Sequence, residues 1–230
     1  MEPTAISGVW RDAARTIVQA TCTFRPEAIE EALSRSFMLG EPAEIFDNVI
    51  APAMRRIGEL WEARRISVAQ EHLVSGLVED VLVSMHAAMQ PRVREPKILL
   101  LCLQDESHTI AIKGVGLHFA AWGVRSVILG ARTPPGAVAD AVAALQPALV
   151  GISATMSPSR PISRQLLLAY GEACGSVPWI LGGAAALNLA SWVEEAGGRV
   201  VAGAFVDEQR SVRRILTEAL RQRPGDASRH

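Results

Sequence analysis

The hydrophobic period changes across residues 90–96, Gln90-Pro-Arg-Val-Arg-Glu-Pro96, so one kind of secondary structure cannot serve both sides of this short polar connector. Before it, apolar residues recur at helical spacing: Ile29, Leu33 and Phe37; Ile45, Val49, Ile50, Met54, Ile57, Leu60 and Trp61; then Val68, His72, Leu73, Leu77, Val81 and Leu82. With one more helix over residues 10–20, this pattern predicts a four-helix bundle. Pro26 and Pro42 stand near helix starts, where a missing amide proton costs least, and Gly40 stands where a helix should stop. After the connector, short apolar runs alternate with helical stretches. Strands are predicted near residues 98–103, 126–129, 149–153, 179–181 and 199–201, each of the first four followed by ten or more residues of helical pattern. Such alternation implies crossover connections and a parallel sheet. Residues 207–221 read as a closing amphipathic helix whose charges form a solvated face, and residues 224–230 as a frayed tail. The expected division is a helical domain over 1–90 and an α/β domain over 97–223.

Composition narrows the class further. In 230 residues, 49% are hydrophobic and 20% charged, with a formal net charge of −1, the balance of a folded globular protein rather than of a disordered tail. No excess of positive charge advertises nucleic-acid binding. Cys22, Cys102 and Cys174 are widely spaced and form no Cys-x-x-Cys pair, which argues against a disulfide framework or structural zinc and suggests core positions in a reducing compartment. The start, Met1-Glu-Pro-Thr, lacks a basic-then-apolar leader, and no uncharged apolar stretch approaches the roughly 18–20 residues of a membrane-spanning helix. A cytoplasmic protein is expected, neither secreted nor membrane-spanning.

The residues that bear chemistry cluster at predicted strand ends. Glu106-Ser107-His108 follows the apolar run from Lys97 to Leu103, which puts an imidazole in the loop at the carboxyl end of the first strand, where open α/β sheets bind ligands. A neutral imidazole is a good metal ligand once its second nitrogen is fixed as a donor, and Glu106, two residues earlier, is a candidate acceptor. Ser153 and Thr155 end the third strand, and Gly182-Gly183 end the fourth; hydroxyls and small residues suit close approach by a ligand. Each feature taken singly has a plainer explanation. Ser-x-Thr and Gly-Gly commonly serve as caps and turns, Trp61 is by type a core aromatic, and Glu71-His72 fits an ordinary helix face.

Read together and in order, Ile57-Gly-Glu-Leu-Trp61, Ile66-Ser-Val-Ala-Gln-Glu-His72, Glu106-x-His108, and Ser153-x-Thr155 with Gly182-Gly183 resemble the signatures of cobalamin-binding modules over residues 26–205. The resemblance implies a four-helix bundle that caps the upper face of the corrin, followed by a flavodoxin-like (Rossmann-type) parallel-sheet domain. It implies His108 as the metal ligand on the lower face, oriented by Glu106. Ser153, Thr155, Gly182 and Gly183 would line the inserted dimethylbenzimidazole tail, and Ser107 beside the ligand histidine would also bind the cofactor. Trp61, Val68, Glu71 and His72 would face the upper ligand. The implied cofactor is cobalamin, with adenosylcobalamin favoured over the methyl and hydroxo forms. Two positions depart from the pattern: Ala111 stands where the family has a glycine, crowding the nucleotide tail, and the glycine common after the bundle tryptophan is replaced around Ala63, Arg64 and Arg65.

Corrinoid proteins of methyl transfer show Asp-x-His-Asp-x-Gly around the lower ligand, whereas this chain has Glu106-Ser-His-Thr-Ile-Ala111. That version is more similar to the cobalamin-binding sensors of the light-responsive regulator group, including CarH-type repressors. Trp61, Val68, Glu71 and His72 match the positions around the adenosyl group in those sensors. Glu62 stands where the CarH type has a second histidine, and His72 is expected to be held by the packing of its helix. Only about two dozen residues precede the second predicted helix, fewer than a helix-turn-helix unit needs. The resemblance therefore extends to free-standing antirepressors of the AerR/PpaA type, which act on a transcription factor. It implies a light-sensing regulatory protein rather than an enzyme, working through a protein partner without binding DNA directly, with oligomers possible. A corrinoid carrier of methyl groups and a cobalamin-storage protein are the alternatives.

Overall fold

Apolar spacings of three and four residues fold the first of two units, Met1–Met89, into helices. The computed structural model describes residues 3–92, 96–155, 164–201 and 205–222; residues 93–95 of the connector and the tail at 224–230 lie outside the described residues. Helices α1 (Pro3–Cys22), α2 (Pro26–Ser36), α3 (Pro42–Ile45), α4 (Ala51–Glu62) and α5 (Val68–Met89) are joined so that α3 passes into α4 through a π turn, Phe46–Ile50. The bundle thus has four members. Pro52 accounts for the π turn: it has no N–H to offer and its ring crowds the carbonyl four residues back, so the turn before it takes an extra residue, closed by the Ala51 N–H on the Phe46 carbonyl. Ile17, Ile29, Leu33, Val49, Ile57, Val78 and Leu82 are among the side chains this unit buries.

Three expectations about this unit are corrected. Trp61 is exposed rather than core: the buried positions of α4 are Ala53, Ile57 and Leu60, and Trp61 stands about 100° round the helix from Leu60, at the edge of that face. On α5 the core face is Val74, Val78, Leu82 and Met85. Val68 and His72 lie off it and are exposed; His72 is two residues, about 200° of helix, from Val74. Gln70 fixes this phase. Its carbonyl oxygen accepts the Ser67 N–H at 2.9 Å, and its amide donates to the Thr21 and Cys22 carbonyls at 2.9 and 3.0 Å. The last carbonyls of α1 and the first turn of α5 are thereby satisfied together. Cys22, at that α1 terminus, is exposed rather than core, while Cys102 and Cys174 are buried.

The second unit, Gln90–His230, is built on five strands: β1 (Lys97–Cys102), β2 (Arg125–Gly130), β3 (Leu149–Ser153), β4 (Trp179–Gly182) and β5 (Arg199–Val201). They pair in parallel in the order β2-β1-β3-β4-β5, the flavodoxin-like arrangement. Helices α6 (Ile110–Ala121), α7 (Pro135–Leu145), α8 (Arg164–Cys174), α9 (Ala190–Glu195) and α10 (Phe205–Gln222) connect and close it. Period-two alternation divides β1 between two cores. Leu99, Leu101 and Leu103 pack with Val138 of α7, Leu167 and Tyr170 of α8 and Val193 of α9. Ile98, Leu100 and Cys102 pack with Ile112 and Phe119 of α6 and with Val212 and Ile215 of α10. Covered on both faces, β1 and β3 read as unbroken apolar runs. After β4 the expected long helix is instead a 3-10 turn, Ala186–Leu189, leading into the six-residue α9, because the Ala185 N–H is drawn onto the Ala154 carbonyl at 3.0 Å. Arg213 on the exposed side of α10 also lies over Trp122, 4.4 Å from the ring centre.

The corner between α4 and α5 explains one departure from the family pattern. The Arg64 N–H donates to the Trp61 carbonyl and the Arg65 N–H to the Leu60 carbonyl, both at 2.8 Å, which is a Schellman motif. Arg64 occupies its left-handed position with φ of 55°, where glycine is the usual residue. Arg64→Gly is expected to raise the stability of the full chain by about 0.5–1 kcal/mol, the left-handed penalty less the greater freedom of the unfolded glycine. Urea unfolding checks it: an unchanged or lower midpoint contradicts the strain assigned to Arg64.

Candidate functional site in the parallel-sheet unit

In a sheet of this order the chain leaves β1 and β3 in opposite senses, and a crevice opens beyond their carboxyl ends. Cys102 and Ser153 are register partners at those ends. The Leu103 N–H donates to the Ser153 carbonyl at 3.1 Å, so the pairing continues one step past β1 before the chain turns, and the Glu106 N–H then closes the turn on the Leu103 carbonyl at 2.8 Å. The result is a short loop that delivers Glu106 inward and His108 outward. Glu106 is buried, while the His108 side chain is 52% exposed.

A buried carboxylate needs donors, and Glu106 collects them from two loops. Its Oε1 accepts the His108 backbone N–H at 2.7 Å and lies 2.6 Å from His108 Nδ1. Its Oε2 accepts the Thr155 backbone N–H at 2.9 Å. An ionised carboxylate only accepts, so Nδ1 carries the imidazole proton and Nε2 keeps the lone pair. The half-exposed ring is thus in the tautomer a metal ligand requires. Among the described residues no group of three or more His, Cys, Asp or Glu side chains could hold a metal ion. One oriented imidazole therefore suits a metal that brings its other donors with it, as cobalt does in a corrin.

The loops after β3 and β4 are drawn up to the same place. Ser153 Oγ and Thr155 Oγ1 lie 3.0 Å apart, and the Ala154 N–H donates to the Gly182 carbonyl at 2.8 Å. The two glycines differ. Gly183 has φ of +104°, and a Cβ there would meet the Ala154 carbonyl oxygen at 2.4 Å, whereas at Gly182 the nearest atom would be 3.7 Å away. Gly183 is required by the fold itself. Gly182 is not, since a Cβ there would make only ordinary van der Waals contact. Ser107 is exposed beside His108.

Sequence reasoning brought Glu106, His108, Ser153, Thr155, Gly182 and Gly183 into one place, and the structure groups them at the strand ends. It missed Tyr170. This side chain on α8 is fully buried; its hydroxyl donates to the Thr133 carbonyl at 2.6 Å and accepts the Gln104 N–H at 2.9 Å. Burial pushes its pKa well above the usual phenol range, so it stays a donor. No sequence pattern announced it, since its partners are backbone groups. The remaining candidates belong to the helical unit. There Glu71 Oε1 accepts the Ser75 hydroxyl at 2.6 Å, and its Oε2 lies 3.6 Å from His72 Nε2. The His72 side chain is 74% exposed; its ring is not held by packing, contrary to expectation, because it projects from the side of α5 away from the core.

Residues 13–83 match one family described as a B12 binding domain, and residues 96–216 match another of the same description. The chain belongs to the B12 binding domain family. It is 36% identical over 180 residues to the HTH-type transcriptional repressor CarH of Myxococcus xanthus, covering 77% of this chain and 58% of the relative. It is 29% identical over 137 residues to the HTH-type transcriptional repressor CarA of the same organism, covering 60% of this chain and 46% of that one. The chain thus spans about half the length of the curated relatives it matches. The Methanosarcina barkeri monomethylamine corrinoid protein shares the fold, with a TM-score of 0.64 at 20% identity over 88% of this chain and 96% of that one. No helix among the described residues is long and apolar enough to cross a membrane.

The two glycines can be separated by substitution. Gly183→Ala should lower stability by at least about 2 kcal/mol, from a disallowed φ and a carbonyl overlap. Gly182→Ala should change stability by less than about 1 kcal/mol yet weaken cobalamin binding. Denaturant unfolding and a cobalamin titration of both variants decide it, and wild-type binding by Gly182→Ala would remove Gly182 from the site.

Proposed function

We propose that the protein is a cobalamin-dependent regulatory protein that senses light through adenosylcobalamin and acts on a protein partner such as a transcription factor. The observation that carries the cofactor half is the Glu106–His108 pair at the β1/β3 switch point. Regulation is supported by the 36% identity to a transcriptional repressor. The regulator type of lower loop, Glu106-Ser-His108 followed by Thr109 rather than an acid, supports sensing over methyl transfer.

In this reading His108 Nε2 is the lower metal ligand, and Glu106 holds the opposite ring nitrogen protonated. Ser153, Thr155 and Gly182 line the path of the nucleotide tail, with Ser107 at its rim. When bound, adenosylcobalamin supplies a cobalt–carbon bond that visible light breaks. The chain's own part is to recognise the adenosyl group on the helical unit. Trp61 and Val68 offer exposed apolar surface there, and Glu71, braced by Ser75, offers an acceptor for ribose or base hydrogens. Loss of that ligand removes the contacts that select one arrangement of the protein and so changes the surface offered to a partner.

The decisive experiment is a visible spectrum of the full chain loaded with adenosylcobalamin in the dark, before and after green light. The expected result is a base-off, histidine-on spectrum that changes on illumination. An unchanged spectrum overturns the photosensor reading, and methyl transfer without any light response would establish the corrinoid-carrier alternative instead. His108→Ala should abolish the histidine-on signature, and Glu106→Gln should weaken binding by about 10–100-fold, as expected for the partner of a metal ligand. Wild-type spectra and affinity in either variant would remove that residue from its role.

The assignment of the helical face has its own check. Trp61→Ala should weaken the adenosyl form more than methyl- or hydroxocobalamin, because aromatic contact area is lost only where a nucleoside is present. Equal losses for all three forms, measured by titration in the dark, would overturn a contact of Trp61 specific to the adenosyl group.

A further inference from the structure

We infer that Tyr170 is a positioning residue for the metal-ligand loop: its hydroxyl joins the loop after β1 to the loop after β2 and so sets where Glu106 and His108 stand. The inference rests on His108 being the lower ligand. Its ring belongs to the core beneath β1 and β3, so the oxygen reaches the strand ends from below, on a rigid side chain. It accepts the Gln104 N–H at 2.9 Å and donates to the Thr133 carbonyl at 2.6 Å. Gln104 is two residues from Glu106. On the other side, the Arg132 N–H donates to the Glu106 carbonyl at 2.9 Å and the Thr133 N–H to the Cys102 carbonyl at 3.3 Å.

The four bonds make a closed lattice. The loop from Leu103 to His108 is tied to residues 132–133 through Glu106 and Cys102, and both strips of backbone are tied to the same phenol. Arg132 takes part with φ of 51°, a left-handed conformation that is uncommon for a residue with a side chain and is held here by its bond to Glu106. Removing the hydroxyl leaves Gln104 N–H and the Thr133 carbonyl without this partner inside a mostly buried corner, where an unmade bond is more costly than a made one is favourable. The nearest relief is for the loop to move, and Glu106 moves with it. Thr155, whose N–H is held by Glu106 Oε2, would then lose its register with His108.

The test is Tyr170→Phe, which keeps the ring and the core packing. The expected result is a protein with the wild-type circular dichroism spectrum, about tenfold weaker cobalamin binding, in the range for a group that orients a metal ligand's partner, and a larger histidine-off fraction in the bound spectrum. In the cobalamin-free protein, hydrogen exchange should quicken at Gln104 and at residues 132–133 and stay unchanged in β3 and β4. Val193→Ala, in the same core but remote in sequence from both loops, controls for loss of stability and should keep the wild-type spectrum. Equal weakening in Val193→Ala, or wild-type affinity and exchange in Tyr170→Phe, overturns the positioning role. If Tyr170→Phe does not fold, exchange in the cobalamin-free wild type decides: a Gln104 amide exchanging as fast as an open loop refutes the clamp. His108→Ala measured alongside separates the two ideas, because a wild-type spectrum there refutes the ligand assignment and not the clamp.

Discussion

A buried carboxylate organises the strand-end site. Taking Glu106 out of water is costly unless donors replace the water, and those donors come from the His108 and Thr155 amides and from the His108 ring. One side chain therefore fixes three things: the curl of its own loop, the distance to the loop after β3, and which imidazole nitrogen carries the proton. None of the three can vary alone. Moving the β3 loop away takes the Thr155 donor from a buried charge, and turning the imidazole over places two acceptors together.

The sheet makes such an arrangement possible by bringing together ends that are distant in sequence. Residues 102 and 153 are register partners although a whole strand and two helices separate them. Continuous burial of β1 and β3 holds that register, since each faces helices on both sides and a one-residue slip would exchange two different sets of neighbours. Gly183 completes the floor by allowing backbone to approach backbone near Ala154. The site is thus rigid where it grips the imidazole and open where the imidazole faces out.

Much of this was legible in the sequence, for reasons that are local. Strands covered on both faces leave unbroken apolar runs, which is why β1 and β3 could be read directly, while the partly exposed edge strands β2 and β5 were placed by the alternation of short apolar runs with helical stretches. Glu106 and His108 are two residues apart, so their relation could be read directly once a strand end was placed before them. What escaped was written in the backbone or in helix phase. Thr155 matters through its amide proton as well as its hydroxyl, and any residue but proline has such a proton. Tyr170 looks like one more core residue, since its partners lie 66 and 37 residues away in backbone groups. The phase of α5 depended on the reach of Gln70 to α1, which apolar periodicity does not register, and Trp61 stands at the edge of the buried face of α4.

The phase error has a physical consequence for function. An apolar stripe read through Trp61 and Val68 would place them in the core, where packing alone explains them. Their exposure removes that explanation, and Ala53, Ile57, Leu60, Val74 and Val78 supply the core without them. Trp61 and Val68 are exposed apolar side chains, and Glu71 on α5 offers an acceptor already oriented by Ser75. Nucleosides have the complementary character, a stacking base joined to a hydroxylated sugar. The proposed recognition of an adenosyl group thus draws on the residues that helical periodicity alone assigned to packing.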